Sequence, residues 1–478
     1  MFKQCFGLMA GGGAVAAFIP TLCVAHPAAE AGIQLGETLP AWTVAPFVAL
    51  LLGIAIIPLI NRHWWERLSR QSLVAAICAI PMLLYFLYAD YHQLIHTGLE
   101  YISFIIYIGG LFTVAGGIFL KGDLVATPRT TTGFLAAGAV LANLVGTTGA
   151  SMLLIRPLMS TVRERKHLRH IPIFFIFLVS NIGGCLTPLG DPPLFLGFLR
   201  GVPFAWTLKL FPEWLFTVGV VLVIFYVWDT LAYRKETRKD LKRDQVAVQP
   251  LRMIGKRNFY LLGMILAAVL LSSTFQRLYE AAGAGARAEL LANLTRDAII
   301  AMAAVISFRI TPDEAHRKNE FSFAPIKEVA VLFAGIFVTM IPALLILQAR
   351  GASFGVSQPW QFFWLTGGLS SFLDNAPTYL TFASLAQGVV AGGDHTGFAN
   401  LHEFILHSPE AARLLQAVSV GAVFMGANSY IGNGPNFMVK AIVQERGVEM
   451  PSFFGYMGYA VTVLIPVFIL VTLIFFRA

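Results

Sequence analysis

Apolar runs of about 20 residues recur along the whole chain, the length a helix needs to cross the hydrocarbon core of a bilayer. Runs near 41–60, 72–89, 101–120 and 213–232 read as plain spans, as do 258–275, 295–310, 327–348 and 454–476. Four further runs are interrupted by Gly, Pro, Asn or Asp: 133–158, 171–199, 360–387 and 412–442. The first two contain Asn143-Leu144-Val145-Gly146-Thr147-Thr148-Gly149-Ala150-Ser151 and Ser180-Asn181-Ile182-Gly183-Gly184, then Thr187-Pro188-Leu189-Gly190-Asp191-Pro192-Pro193. The last two contain Leu373-Asp374-Asn375-Ala376-Pro377-Thr378 and Asn428-Ser429-Tyr430-Ile431-Gly432-Asn433-Gly434-Pro435-Asn436. Backbone facing lipid cannot leave N–H and C=O groups unpaired, so a broken helix survives only where protein or a water-filled cavity satisfies it. Paired breaks at matching places in two halves point to the binding site of a secondary transporter.

The order is three spans, a bipartite segment, a broken span and a further span, and it occurs twice. The fold expected is an all-α polytopic membrane protein of two inverted repeats. It has about ten transmembrane helices, two re-entrant hairpins and two broken helices. The first repeat covers 41–232 and the second 258–476, joined by a basic linker at 233–257.

Charge sets the expected topology. Arg62, Arg67, Arg70, Lys121, Arg129, Arg163, Arg165, Lys166 and Arg169 flank the first-half spans, and the linker is dense in Lys and Arg. An excess of basic residues marks cytoplasmic loops, so 133–158 enters and leaves from the cytoplasm. Residues 388–412 hold no Lys or Arg and 349–359 hold Arg350 alone, so 360–387 opens to the outside. Residues 1–25 read as a signal peptide, with Lys3, a glycine-rich apolar core and Cys23-Val24-Ala25 as a cleavage site.

Composition agrees: 57% hydrophobic and 13% charged residues over 478 positions, with a mean hydropathy of +0.71. The net charge of +8 resides in loops, which makes it a topology signal and not a nucleic-acid footprint. Four cysteines offer no disulfide framework and no CxxC metal motif. No Walker loop or dinucleotide fingerprint is present, so transport would draw on an ion gradient, with Na⁺ or H⁺ as coupling ion. Nothing suggests an enzyme.

Candidate chemistry lies in the breaks. Asp374 and Asn375 sit at the second hairpin tip and Asp191 in the first broken span, and an ionisable group at membrane depth is a functional candidate by default. Carboxylate and amide oxygens suit Na⁺, and a buried carboxylate can hold a proton instead. Asp374 is also placed to cap the half-helix that starts at Pro377. Thr147, Thr148, Ser151, Ser180, Asn181, Thr187, Thr378, Asn428, Ser429, Asn433 and Asn436 add hydroxyls and amides beside half-helix ends. His92 and His96 have the spacing of two ligands on one helix face, in an expected external loop.

The run Ser180-Asn181-Ile182-Gly183-Gly184 through Pro193, with Leu373-Asp374-Asn375-Ala376-Pro377-Thr378, resembles the ion transporter superfamily. The likeness is to the branch of NhaD-type Na⁺/H⁺ antiporters, arsenite permeases and citrate carriers, over roughly residues 41–476. It implies a homodimer in a bacterial cytoplasmic membrane, with a mobile domain of hairpins and broken helices moving against a scaffold. At the first tip this chain carries Asn143 through Thr148 where NhaD-type proteins are acidic, and it has the Ser-Asn-Thr of carboxylate carriers at neither tip. Two functions follow. The first is a sodium/proton antiporter using Asp374 and Asp191. The alternative is a Na⁺- or H⁺-coupled symporter for citrate or another small carboxylate, bound by Thr147, Thr148 and Ser151, with Asn428 and Asp374 helping to hold the coupling ion.

Overall fold

The computed structural model describes residues 25–122, 124–237, 252–392 and 397–477. The signal peptide expected at 1–25 lies outside the described residues except for Ala25, as does most of the 233–257 linker. A helix α1 (Ala25–Thr38) precedes the first span. The first repeat comprises α2 (Ala45–Ile60), α3 (Leu68–Ala89), α4 (Tyr91–Gly116), α5 (Pro128–Thr161), α6 (His170–Leu178), α7 (Pro192–Leu199) and α8 (Phe211–Tyr233). The second comprises α9 (Asn258–Leu270), α10 (Ser272–Ala281), α11 (Ala288–Ile310) and α12 (Ala324–Arg350). It continues with α13 (Pro359–Ser370), α14 (Asn375–Ala391), α15 (Leu401–His407), α16 (Pro409–Met425), α17 (Gly434–Glu445) and α18 (Phe453–Val471). Among the described residues, eight helices are long and apolar enough to cross a membrane, and nine if the bent pair α9–α10 counts as one.

The four interrupted segments break where their residues dictate. Helix α5 departs from helical geometry at Gly146 (φ 77°, ψ 155°), a region open essentially to glycine. It then folds back, so that a methyl group on Gly138 would stand 3.1 Å from Leu154 across the hairpin. The second hairpin, α13 and α14, turns at Ser371–Asp374, where the Asp374 carboxylate accepts from the Ala376 N–H at 3.0 Å and caps α14. Between α6 and α7 the chain unwinds through 179–191, and between α16 and α17 through 426–433. Pro192 and Pro435 sit at the first positions of the second half-helices, where a missing N–H costs nothing.

The repeat extends to individual hydrogen bonds. Thr187 Oγ1 donates to the Asn143 carbonyl at 2.5 Å, and Ser429 Oγ donates to the Ser371 carbonyl at 2.5 Å, each break tying itself to its own hairpin. Gly190 crosses Gly184 so closely that an added methyl would lie 2.0 Å from the Gly184 oxygen. Gly432 crosses Gly426 in the same way, at 2.6 Å. Asp191 and Asn433 therefore occupy matching places, one residue beyond each crossing.

Burial sorts the elements into inner and outer sets. Every residue of α6 is buried, and all of them after His170 are apolar, as a helix enclosed on every side requires. In the α5 hairpin 78% of the most apolar window is buried, against 17% in α3 and 28% in α2 with its leading turn. The broken segments thus form the interior and the first spans the periphery.

Several boundaries differ from the sequence expectation. The span expected at 101–120 is helix from Tyr91, capped by Asp90, which accepts from the His92 N–H at 3.0 Å. It stops at Gly116, and His92 and His96 lie within it and not in a loop. Beyond it Phe119–Lys121 pairs antiparallel with Arg252–Ile254, a two-stranded ribbon that clasps the end of the linker to the first repeat. The span expected at 258–275 bends by 51° at Leu271, before Ser272-Ser273-Thr274, residues that favour helix starts over helix interiors.

Candidate functional site

The two hairpin tips and the two breaks meet at one carboxylate. Asp191 is 1% exposed. Its Oδ1 accepts from Thr147 Oγ1 at 2.8 Å and from Asn433 Nδ2 at 3.0 Å, and its Oδ2 accepts from Asn375 Nδ2 at 2.5 Å. Each of those donors comes from a different interrupted segment, and Asp191 itself comes from the fourth. Thr147 N–H also donates to the Gly190 carbonyl at 2.8 Å, which fixes the first tip against the break. The donors are neutral, and among the described residues Asp191 has no ion pair. A buried carboxylate without a counter-ion is expensive, and such groups persist where a function needs them.

A second set of polar groups surrounds this centre. Asn433 Nδ2 donates to the Ser180 carbonyl at 3.0 Å, and the Ser180 hydroxyl meets that of Ser151 at 2.8 Å. Asn181 Nδ2 donates to Asn436 Oδ1 at 2.7 Å, joining the two breaks directly. Asn436 in turn donates to the carbonyls of Gly426 and Ser429, both at 2.9 Å. Asn428 Nδ2 donates to Ser371 Oγ at 2.9 Å. The side-chain oxygens of Asn181, Asn375 and Asn428 are buried without a hydrogen-bond partner. Amide oxygens with lone pairs to spare are ligands of the kind a hard cation takes, and that of Asn375 belongs to the amide bonded to the carboxylate.

The remaining candidates make no hydrogen bond to the carboxylate among the described residues. Asp374 is half-buried and engaged in capping α14, and Thr378 Oγ1 donates to its carbonyl at 2.9 Å. Thr187 pins the break to Asn143. Thr148, next to Thr147, is half-buried and follows the turn without sharing its carboxylate contact.

Sequence reasoning missed several supporting residues. Asn143 Oδ1 accepts from the Leu186 N–H at 2.8 Å, and Ser371 Oγ donates to the Met425 carbonyl at 3.2 Å, so each hairpin holds its own break open. Both stand in polar patches that could have been singled out. Tyr107 donates from its hydroxyl to the Pro188 carbonyl at 3.0 Å and stacks on Phe195. It comes from an ordinary apolar run of α4, so nothing in the sequence pointed to it.

Stacked all-α spans, two hairpins and two broken helices meeting at a buried polar centre define a multi-pass membrane protein with the architecture of a transporter. The chain belongs to the family described as "Putative citrate transport", whose model matches residues 36–476, and with it to the ion transporter superfamily. No curated protein matches the chain. The protein is thus a membrane transporter.

Proposed function

We propose that this transporter exchanges Na⁺ for protons, with Asp191 as the group that holds either ion in turn. The observation that carries the reading is the Asp191 carboxylate, enclosed by Thr147, Asn375 and Asn433 and in no ion pair among the described residues. Neutral donors compensate a buried charge in part, and a bound cation completes the compensation. The unsatisfied amide oxygen of Asn375, whose amide nitrogen bonds the carboxylate, offers a further ligand of the hard type that Na⁺ takes. Asp374 shapes the tip that delivers Asn375. A bacterial cytoplasmic membrane and a homodimeric state belong to the same proposal.

The family description favours a second reading, ion-coupled uptake of citrate or a related carboxylate. In that case Thr147, Thr148 and Ser151 would face the anion, and Asp191 would hold the coupling ion. Proteoliposomes loaded with a pH-sensitive dye separate the two. Proton movement driven by a Na⁺ gradient, without organic substrate, supports exchange. Uptake of labelled citrate that requires Na⁺ or a proton gradient, with no Na⁺-driven proton flux in its absence, overturns it in favour of symport.

A further inference from the structure

A groove of about 680 Å³ opens at the junction of α6 and the end of α8, away from the carboxylate site. Its wall is apolar: Val223, Val227 and Leu231 lie on one exposed stripe of α8, along the last turns of a membrane span. Trp228 borders them, 37% exposed, packed against Phe174 and Tyr459. Its rim is basic. Arg169 and Lys235, both exposed, stand just beyond the ends of α6 and α8 on the side that charge distribution assigns to the cytoplasm, with Lys166 and His167 beside them.

The acids beneath this rim are already engaged. Asp229 is fully buried and accepts from Arg165 at 2.5 Å, from His170 Nε2 at 2.9 Å and from Thr131 Oγ1 at 2.6 Å. Glu236 accepts from the backbone N–H groups of Lys166 and His167, at 3.0 and 2.7 Å, and so fixes the rim loop in place. The carboxylates act as a foundation for a ring of positive charge that faces outward.

We propose that this groove is a binding site for an anionic phospholipid, its phosphate at Arg169 and Lys235 and one acyl chain along Val223, Val227 and Leu231. The argument is charge complementarity at the right depth: cations where headgroups lie, an amphipathic tryptophan at the boundary and an apolar channel on the hydrocarbon side. Basic pockets between spans on a cytoplasmic face have that chemistry.

Native mass spectrometry of the full chain in detergent, with phosphatidylglycerol or phosphatidylcholine added, tests it. The wild type should retain phosphatidylglycerol in preference to phosphatidylcholine. The variant R169Q/K235Q should bind it about 25-fold more weakly, at roughly fivefold for each surface cation removed. Val227→Trp, which keeps the charges and obstructs the channel at a residue 52% exposed, should lose the lipid as well, with an unchanged thermal transition reporting an intact fold. Equal retention of both lipids, wild-type retention by either variant, or full displacement by millimolar inorganic phosphate would overturn the assignment.

Discussion

Two aspartates compete for the role of ion carrier, and side-chain direction separates them. Sequence spacing favours Asp374, at a hairpin tip before Asn375 and Pro377, yet it caps α14, whereas Asp191 receives all three convergent donors. Asp191→Asn should leave a folded protein in which Na⁺-driven proton flux is lost, since an amide exchanges neither ion. Asp374→Asn keeps a capping oxygen and should retain most of the flux, with a stability change of a few tenths of a kcal/mol, about 0.3. Flux in vesicles and a thermal-shift curve read both outcomes, and equal loss in the two variants would return Asp374 to the centre. Thr147→Ala removes one donor to a buried charge, at a cost of about 1–3 kcal/mol, and should weaken apparent Na⁺ affinity more than Thr148→Ala does. The participation of Asp191, Asn375 and Asn433 was legible from their residue types at membrane depth. Their convergence was not, because it depends on how segments hundreds of residues apart cross.

Among elements, the breaks are the most strictly specified. Gly190→Ala would drive a methyl into the Gly184 carbonyl and should destabilise the fold by at least about 3 kcal/mol, beyond ordinary overpacking because backbone cannot rotate away. Gly146→Ala faces a conformational cost of about 1–3 kcal/mol at its positive φ. Gly434→Ala meets open space and should stay within about 1 kcal/mol of wild type. Detergent-solubilised thermal melts of the three variants should follow that order, and a Gly190→Ala protein as stable as Gly434→Ala would refute the close crossing. Glycine and proline made these breaks readable in the sequence, since they are costly in apolar runs without a reason. The ribbon of Phe119–Lys121 with Arg252–Ile254 and the bend at Leu271 carry no comparable penalty. Three-residue strands look like the frayed end of a span, and Ser272-Ser273-Thr274 are tolerated in helices.

Across the whole molecule, the doubled element order predicts that the two hairpins approach the site from opposite faces. Asp313→Cys, after α11, and His402→Cys, in α15, place thiols at exposed positions in a background lacking native cysteines. An impermeant maleimide should label the first only from the cytoplasm and the second only from outside. Labelling of both from one side would exclude the inverted arrangement. The matching positions beyond the two glycine crossings have a further consequence. One holds Asp191 and the other Asn433, so the two matched positions carry one carboxylate between them. Under the proposed exchange, one carboxylate that trades one sodium ion for one proton moves no net charge, which makes that cycle electroneutral. A membrane voltage of 100 mV acts on one elementary charge with about 2.3 kcal/mol, yet it has nothing to act on here. Valinomycin-clamped vesicles should therefore exchange at the same rate with the potential at zero or at either sign, whereas Asn433→Asp, which adds a second carboxylate, should make the rate follow the voltage.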